Sequence, residues 1–282
     1  MIFISCENIF NDSDDQKDSV DAYLFKSDNE LLYKYSDFEL YDSSTHIFYF
    51  RDNHPEFKSI KSSGFSLLAS GEEIYKGVFS TLLSSSIPNC AYILKILSFY
   101  PDYTFRIEFG TIDNEPPDTR NDPRLISALK DHDLLHSGLL GEINSIIKNG
   151  SQYTFTFVVT NYDESCLLIL DPMKMGPKLF HYFTNAPIFY NKTQNKVFRA
   201  ITESQSPSPS NDWHDWLSPL NSGESLQYTF TYNLESPLSS GEYIVSYEFP
   251  GLNNQVTKDL LYHDNNRVWL GDILLKKTIV IE

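Results

Sequence analysis

The densest group of potential metal ligands in this sequence is Asp131-His-Asp-Leu-Leu-His136. On a helix, His132 and His136 would share one face because they are four residues apart, as zinc-binding histidines often are. Asp133 stands where the HExxH motif of metalloproteases has its glutamate. The segment therefore allows a zinc-dependent hydrolase, which would need a third ligand from elsewhere. The alternative interpretation is a solvated helix end, where histidines interact favourably with the helix dipole.

A second group with chemical potential follows a stretch rich in serine and proline. Trp213, His214 and Trp216 lie close together there, with one aspartate directly before Trp213 and another between His214 and Trp216. Indole rings can stack on sugar rings, and carboxylates can accept hydrogen bonds from sugar hydroxyls. These three residues are therefore a candidate ligand-binding site. The alternative interpretation is that the two tryptophans close one end of a β-sandwich core.

Signatures of common catalytic sites are absent from the sequence. The GxSxG, GxxxxGK[ST] and GxGxxG patterns do not occur. Acidic runs at residues 12–18 and 114–122 could supply oxygen ligands for calcium, but neither has the EF-hand spacing. We therefore expect a non-catalytic protein that needs no cofactor.

The first six residues, Met1-Ile-Phe-Ile-Ser-Cys6, form a short apolar run that ends in a small residue and a cysteine. An acidic, polar stretch follows at residues 7–19. This arrangement resembles the end of a bacterial lipoprotein signal peptide, although Phe3 stands where leucine is usual. The resemblance implies that Cys6 becomes the lipidated N-terminus, with a polar tether behind it. No basic residue precedes Cys6, so a complete signal would need an upstream start; the alternative is a cytosolic protein whose first residues form a strand.

Composition limits the classes of partner. The chain has 282 residues and a net charge of −16, from 22 basic and 38 acidic side chains. A field of that sign repels nucleic-acid phosphates, so we expect no nucleic-acid partner. No run of 18 or more apolar residues occurs, so no transmembrane helix is expected. Cys90 and Cys166 are expected to be two separate buried thiols, although the sequence leaves their pairing open.

Alternating apolar and polar residues predict strands in both halves of the chain, and an aromatic content of 15% favours them. Residues 65–69 and 72–79 read as a hairpin, while Asp122-Pro123 is typical of a helix start. A boundary near Ser137-Gly138 would separate a β-rich domain at 21–137 from a second domain at 138–282. Residues 1–20 would be a disordered tether.

The segment Gly241-Glu-Tyr243 resembles the strand that carries a tyrosine corner in immunoglobulin-like sandwiches. In those domains, a tyrosine at the strand start bonds back to the preceding corner through its hydroxyl. Val245 stands where antibody domains have a disulfide cysteine, so no such bridge is expected. The resemblance, which extends to intracellular proteinase-inhibitor domains, covers roughly residues 140–250. It implies an Ig-like sandwich with a long inserted loop at 171–221 and a binding or spacing role.

Together these features predict a mostly β protein with two β-rich domains and a short helix near their boundary. The favoured function is a non-catalytic lipoprotein of the bacterial outer membrane that binds a glycan or protein. One alternative is an intracellular, acidic interaction or inhibitor protein that binds a basic partner in the cytoplasm. The zinc-dependent hydrolase is another.

Overall fold

The computed structural model describes residues 20–27, 30–52, 64–80, 90–94, 100–109, 118–208, 212–253 and 255–282. Across these residues the protein is mostly β with three short α-helices, as the sequence predicts. Cys6 and residues 1–19 of the expected tether lie outside the described residues. Within the described ranges, no helix combines the length and apolarity needed to cross a membrane.

The chain before Ser137 contributes ten of the described strands, which form two sheets. Their bounds are β1 Tyr23–Ser27, β2 Glu30–Lys34, β3 Phe38–Asp42, β4 Ile47–Phe50, β5 Gly64–Ala69, β6 Glu72–Ser80, β7 Ala91–Leu94, β8 Thr104–Arg106, β9 Glu108–Phe109 and β10 Leu135–His136. The strand order is β2-β1-β5-β6-β7-β9 in one sheet and β10-β3-β4-β8 in the other. The predicted hairpin is β5–β6.

An aromatic core fills the space between these two sheets. Phe25 of β1 makes edge-on contacts with Phe48 of β4 and Phe105 of β8, at centroid distances of 5.4 and 5.3 Å. The short helix α1 (Pro123–Asp131) begins where the sequence predicts, because the Asp122 carboxylate accepts a hydrogen bond from the Arg124 N–H. In the smaller sheet β10 is the edge strand, and β3 lies next to it.

The chain after Ser137 supplies eleven further described strands and two short helices. These are β11 Leu139–Asn149, β12 Gln152–Asn161, β13 Leu167–Leu170, α2 Pro172–Met175, α3 Pro177–Phe183, β14 Ile188–Asn191, β15 Lys196–Ile201, β16 Leu217–Leu220, β17 Ser225–Leu234, β18 Gly241–Pro250, β19 Tyr262–His263, β20 Asn266–Val268 and β21 Asp272–Ile281. The order is β11-β12-β17-β15-β14-β18-β21 in the large sheet and β16-β13-β20-β19 in the small one.

The large sheet curls until its first and last strands meet. The Lys277 ammonium of β21 donates to the Ile143 and Asn144 carbonyls of β11, at 2.9 and 2.5 Å. Strand β12 shows how the sequence specifies the two faces, since Phe155 and Phe157 are buried inside. Threonines alternate with them on the outside and pair across to β17, as Thr156 does with Thr229 at 3.1 Å.

The segment 171–221, expected to be a long inserted loop, is largely ordered structure that completes the sheets. It contains α2, α3, β14, β15 and β16. Helix α3 starts at Pro177 and ends at Phe183. Proline suits the first turn of a helix, and Phe180 buries its ring in the core. Strands β14 and β15 lie in the middle of the large sheet, so they cannot be removed without opening it.

Tyr243 makes the hydrogen bond of a tyrosine corner. Its ring is fully buried, and its hydroxyl donates to the Ser239 carbonyl at 3.0 Å, just before β18. The Ser239 hydroxyl oxygen lies 3.2 Å from the Tyr243 hydroxyl oxygen. The hydroxyl thus fixes the chain that enters β18.

Replacing Tyr243 with phenylalanine should lower the free energy of unfolding by roughly 0.5–1.5 kcal/mol, because one intramolecular hydrogen bond is lost. Urea denaturation measures this change. The control is Tyr162→Phe, since Tyr162 is exposed and should behave as wild type. An unchanged midpoint for Tyr243→Phe would show that the corner contributes nothing.

Cys90 and Cys166 are both free thiols. Each is half-buried rather than fully buried, and they belong to different halves of the chain. Partial burial raises the pKa of the Cys166 thiol. No disulfide therefore links the two halves through these residues.

Candidate functional site

Trp216 belongs to the hydrophobic core. Its side chain packs against Phe183 of α3, at a centroid distance of 5.6 Å, and only 5% of the residue is exposed. The structure thus places Trp216 in the core, as the alternative interpretation expects, and leaves little of its side chain for a ligand to contact.

Trp213 and His214 lie at the surface beside that core. They form part of a single 3-10 turn, Trp213–Trp216, which Asp212 caps. One oxygen of Asp212 accepts from both the backbone N–H and the ring Nδ1 of His214, at 3.0 and 2.7 Å. These two hydrogen bonds lower the pKa of Asp212. The fixed His214 ring stacks on Trp213, with centroids 3.7 Å apart and planes inclined by 22°.

The hairpin of β19 and β20 brings a third ring to this pair. His263 lies with its ring centroid 5.0 Å from that of His214. The hairpin turn, Asp264-Asn265, has positive φ at both residues, 49° and 63°. Such values are typical of a tight type I′ turn, which aspartate and asparagine tolerate well. The turn therefore holds His263 in a defined position.

Tyr262 precedes His263 and is also exposed. Its hydroxyl donates to the Glu39 carboxylate at 2.8 Å, and Lys258 pairs with the same carboxylate. We call Trp213, His214 and His263 the aromatic ridge. Its rings are half-buried or exposed, and the carboxylates of Asp212 and Asp264 beside it are largely exposed. Sequence reasoning missed the contribution of β19, because nothing local indicates that residues 213 and 263 meet.

His132 and His136 do not share a helix face. Helix α1 ends at Asp131, and Asp133 adopts a left-handed conformation with φ of 54°. His132 stacks on Tyr35, with centroids 3.9 Å apart, whereas His136 lies in β10. No group of three or more His, Cys, Asp or Glu residues is placed to hold a metal ion anywhere in the described part of the chain.

His136 belongs instead to a buried polar cluster between the two halves. Its Nδ1 lies 3.0 Å from both oxygens of Asp163. Arg267 donates through Nη2 to Asp163 at 3.1 Å and to Asp42 at 3.0 Å. The side chains of Asp42, Asp163 and Arg267 are only 0%, 1% and 2% exposed. We call these four residues the Arg267 cluster.

Strand pairing explains how the Arg267 cluster forms. Parallel pairing of β3 with β10 sets Asp42 opposite His136, and parallel pairing of β13 with β20 sets Arg267 opposite Leu167.

Burial opposes ionisation of Asp163, but the hydrogen bond from His136 and the charge of Arg267 outweigh the effect of burial and lower the pKa of Asp163. Nε and Nη1 of Arg267 make no hydrogen bond of standard geometry to the described residues. The ion pairs of Arg267 with Asp42 and Asp163 therefore join the two halves almost entirely out of contact with solvent.

A second ion pair also joins the two halves of the chain, and we call the contact region between these halves the seam. Arg106 donates to both oxygens of Asp272, at 2.6 and 3.2 Å. Glu108 lies 3.4 Å from Arg106 Nε. Burial raises the pKa of Glu108 and of nearby Glu248, and the negative charge of Asp272 raises both further. Carboxylates thus outnumber cations at this point of the seam.

Glu248→Gln should make the protein more stable near neutral pH, relative to wild type. A carboxyl whose pKa is raised by folding binds its proton more tightly in the folded state than in the unfolded state. The free energy of unfolding of the wild type therefore falls as the pH rises from the pKa of the unfolded chain, about 4.3, through the higher pKa of the folded protein. The variant lacks this decrease. Urea denaturation at pH 4 and pH 7 measures the difference, which should favour the variant only at the higher pH. Glu142→Gln, on an exposed position of β11, controls for the loss of one charge, and equal behaviour of the two variants would contradict the prediction.

The chain matches no protein-family model, and no curated protein is significantly similar to it in sequence. Its fold and its exposed side chains are therefore the guides to function, and among its described surfaces the aromatic ridge carries the best-defined binding chemistry.

Proposed function

We propose that this protein is a non-catalytic, lipid-anchored protein of the bacterial cell envelope and that its aromatic ridge binds a carbohydrate. The observation that carries the binding proposal is the fixed, half-exposed stack of Trp213 on His214 beside His263. The N-terminal Met1–Cys6 segment, with its resemblance to a lipoprotein signal, supports the anchor.

The side chains around the ridge favour a neutral, hydroxyl-rich ligand. Asp212 and Asp264 offer exposed carboxylate oxygens next to aromatic faces, and sugars present C–H faces and hydroxyl donors in the same arrangement. An anionic ligand would be repelled by these carboxylates and by the net charge of −16. A rigid platform also lowers the entropy lost on binding.

Glycan-array screening followed by calorimetric titration tests the carbohydrate proposal. Trp213→Ala should weaken binding by about 2 kcal/mol, or roughly thirty-fold in Kd, as truncation of a central aromatic contact does. His263→Ala, on the β19–β20 hairpin, provides a second variant that does not depend on the packing of Trp213. Tyr162→Ala removes an exposed aromatic ring elsewhere and should bind as wild type.

Salt dependence separates this proposal from an acidic inhibitor of a basic protein. Carbohydrate affinity should change little between 50 and 500 mM NaCl, whereas an ion-paired complex should weaken strongly because salt screens exposed charges. If both ridge variants bind the glycan as well as Tyr162→Ala does, the ridge is not the binding site.

The mass of the N-terminus of the native protein, expressed from its own upstream DNA, tests the anchor separately. A diacylglyceryl group on Cys6, with residues 1–5 missing, is the expected result. An unmodified chain beginning at Met1 in the soluble fraction would contradict it.

A further inference from the structure

The hairpin that joins β11 to β12 carries the one Asn-Gly pair of the sequence, Asn149-Gly150, at its tip. The last pair of the ladder is Asn149 with Gln152, so Gly150 and Ser151 form a two-residue loop. Gly150 has a φ of 62°, which suits the first loop position of a type II′ turn, where glycine is favoured. Every residue from 147 to 152 is exposed, so solvent reaches both residues of the Asn-Gly pair.

Two groups that can react with each other are adjacent at this tip. The backbone nitrogen of Gly150 is a nucleophile once it loses its proton, and the side-chain amide carbon of Asn149 is an electrophile. Their reaction closes a five-membered ring, and it is least hindered where the residue after asparagine has no Cβ. Apart from the neighbouring residues, no described atom lies within 4 Å of the position that a Cβ on Gly150 would occupy. The surroundings therefore leave room for the ring.

Asn221, which also precedes a small residue, is held much more firmly than Asn149. Its Nδ2 and its backbone N–H both donate to one carboxylate oxygen of Glu224, each at 3.0 Å. These two bonds fix the side chain and the backbone of Asn221 together. Asn149 makes no side-chain hydrogen bond to the described residues, and the terminal pair of a hairpin opens more readily than pairs inside the ladder. Its amide can therefore turn towards the Gly150 nitrogen.

We propose that Asn149 undergoes spontaneous deamidation through a succinimide. The Gly150 nitrogen loses its proton and bonds to the side-chain amide carbon of Asn149. The carbon–nitrogen bond of that amide breaks, and ammonia leaves with the proton. Water then adds to either carbonyl of the ring and opens it to aspartate or isoaspartate. The net change consumes one water and releases one ammonia, with no oxidation or reduction, and it does not depend on carbohydrate binding.

The products alter the hairpin in two ways. Each adds a negative charge at the tip. In isoaspartate the chain also continues through the former side chain, which inserts one methylene between the Cα atom of residue 149 and Gly150. Because the length of a hairpin loop sets the register of its strands, the terminal pair with Gln152 cannot close as before. The modified hairpin should lose this pair and keep those from Lys148–Tyr153 inwards.

Peptide mapping by mass spectrometry, after incubation of the folded protein in H₂¹⁸O at 37 °C, tests the proposal. The peptide that contains Asn149 should lose its side-chain amide and gain one ¹⁸O atom, progressively with time. The reaction should be faster at pH 8 than at pH 6, because hydroxide removes the proton of the Gly150 nitrogen. Isoaspartyl methyltransferase should label the same peptide, since that enzyme methylates isoaspartate.

Three variants test the assignment of the reacting atoms. Asn149→Gln should remove the modification, because a glutamine would have to close a less favourable six-membered ring. Gly150→Ala should slow it by placing a Cβ beside the attacking nitrogen, whereas mere loosening of the turn would speed it. Asn221→Gln is the matched control and should leave the reaction of Asn149 unchanged. An Asn149 peptide that stays unmodified at pH 8, or that reacts as fast in Gly150→Ala as in the wild type, would overturn the proposal.

Discussion

Replacing Arg267 with methionine is expected to lower the free energy of unfolding by about 3–5 kcal/mol, as removal of one partner from a buried ion pair does. Arg267 is the cation between Asp42 and Asp163, and all three side chains are almost fully buried. Without it, Asp42 and Asp163 remain as buried carboxylates that lack the cation they share. Urea denaturation at pH 7 measures the effect.

The pH dependence of the Arg267→Met variant gives a second signature. In this variant the charge of Arg267 no longer opposes the effect of burial on Asp163, so the pKa of Asp163 should rise and protonation should partly restore stability as the pH falls from 7 towards 5. The triple variant Arg267→Met, Asp42→Asn, Asp163→Asn removes the uncompensated charges and should recover much of the loss. Arg124→Met breaks the exposed ion pair with Asp122 and should have little effect. An Arg267→Met protein as stable as Arg124→Met would show that the seam does not depend on this cluster.

Replacing Phe157 with alanine is expected to cost about 3–5 kcal/mol, the usual range for deleting a buried phenylalanine ring. Phe157 lies in β12 with no exposed surface and contacts Tyr247 of β18 and Tyr228 of β17, at centroid distances of 5.0 and 5.4 Å. The cavity would lie at the centre of the curled sheet, between strands that are far apart in sequence.

Thermal and urea denaturation measure the effect of the Phe157 change. Phe157→Leu keeps most of the apolar volume and should lose clearly less stability than Phe157→Ala. Thr156→Ala, the adjacent outward residue of β12, tests whether the effect belongs to the buried face. If Phe157→Ala and Thr156→Ala were equally mild, the assignment of the two faces of β12 would be wrong.

Local patterns were sufficient to predict much of the fold. Alternating apolar and polar residues predict strands in both halves of the chain, and strand β12, Gln152–Asn161, shows this alternation without interruption. Asp122 and Pro123 specify the start of α1, and Tyr243 makes the corner hydrogen bond that its position after Gly241 suggested. In each case the residues that carry the signal are close in sequence to the structure they specify.

The seam and the ridge could not be predicted in the same way. Asp42 and Arg267 are separated by 225 positions, and a sequence contains no signal for the pairing of β13 with β20 that brings them together. Trp213 and Trp216 have similar neighbours in sequence, yet the 3-10 turn places one at the surface and the other in the core. Residues 171–221 were expected to form a long inserted loop in an Ig-like sandwich, yet they contain two short helices and three strands.

The measurement that tests the central claim most directly is a ¹H–¹⁵N NMR titration of the three tryptophan indole N–H signals with a glycan selected on the array. The claim is that the aromatic ridge is the binding face, so the Trp213 signal should shift progressively and saturate. The signals of Trp216 and Trp269 should stay in place, because both rings are buried away from the ligand. A glycan that binds while the Trp213 signal does not move, or moves no more than the two buried ones, would contradict the account.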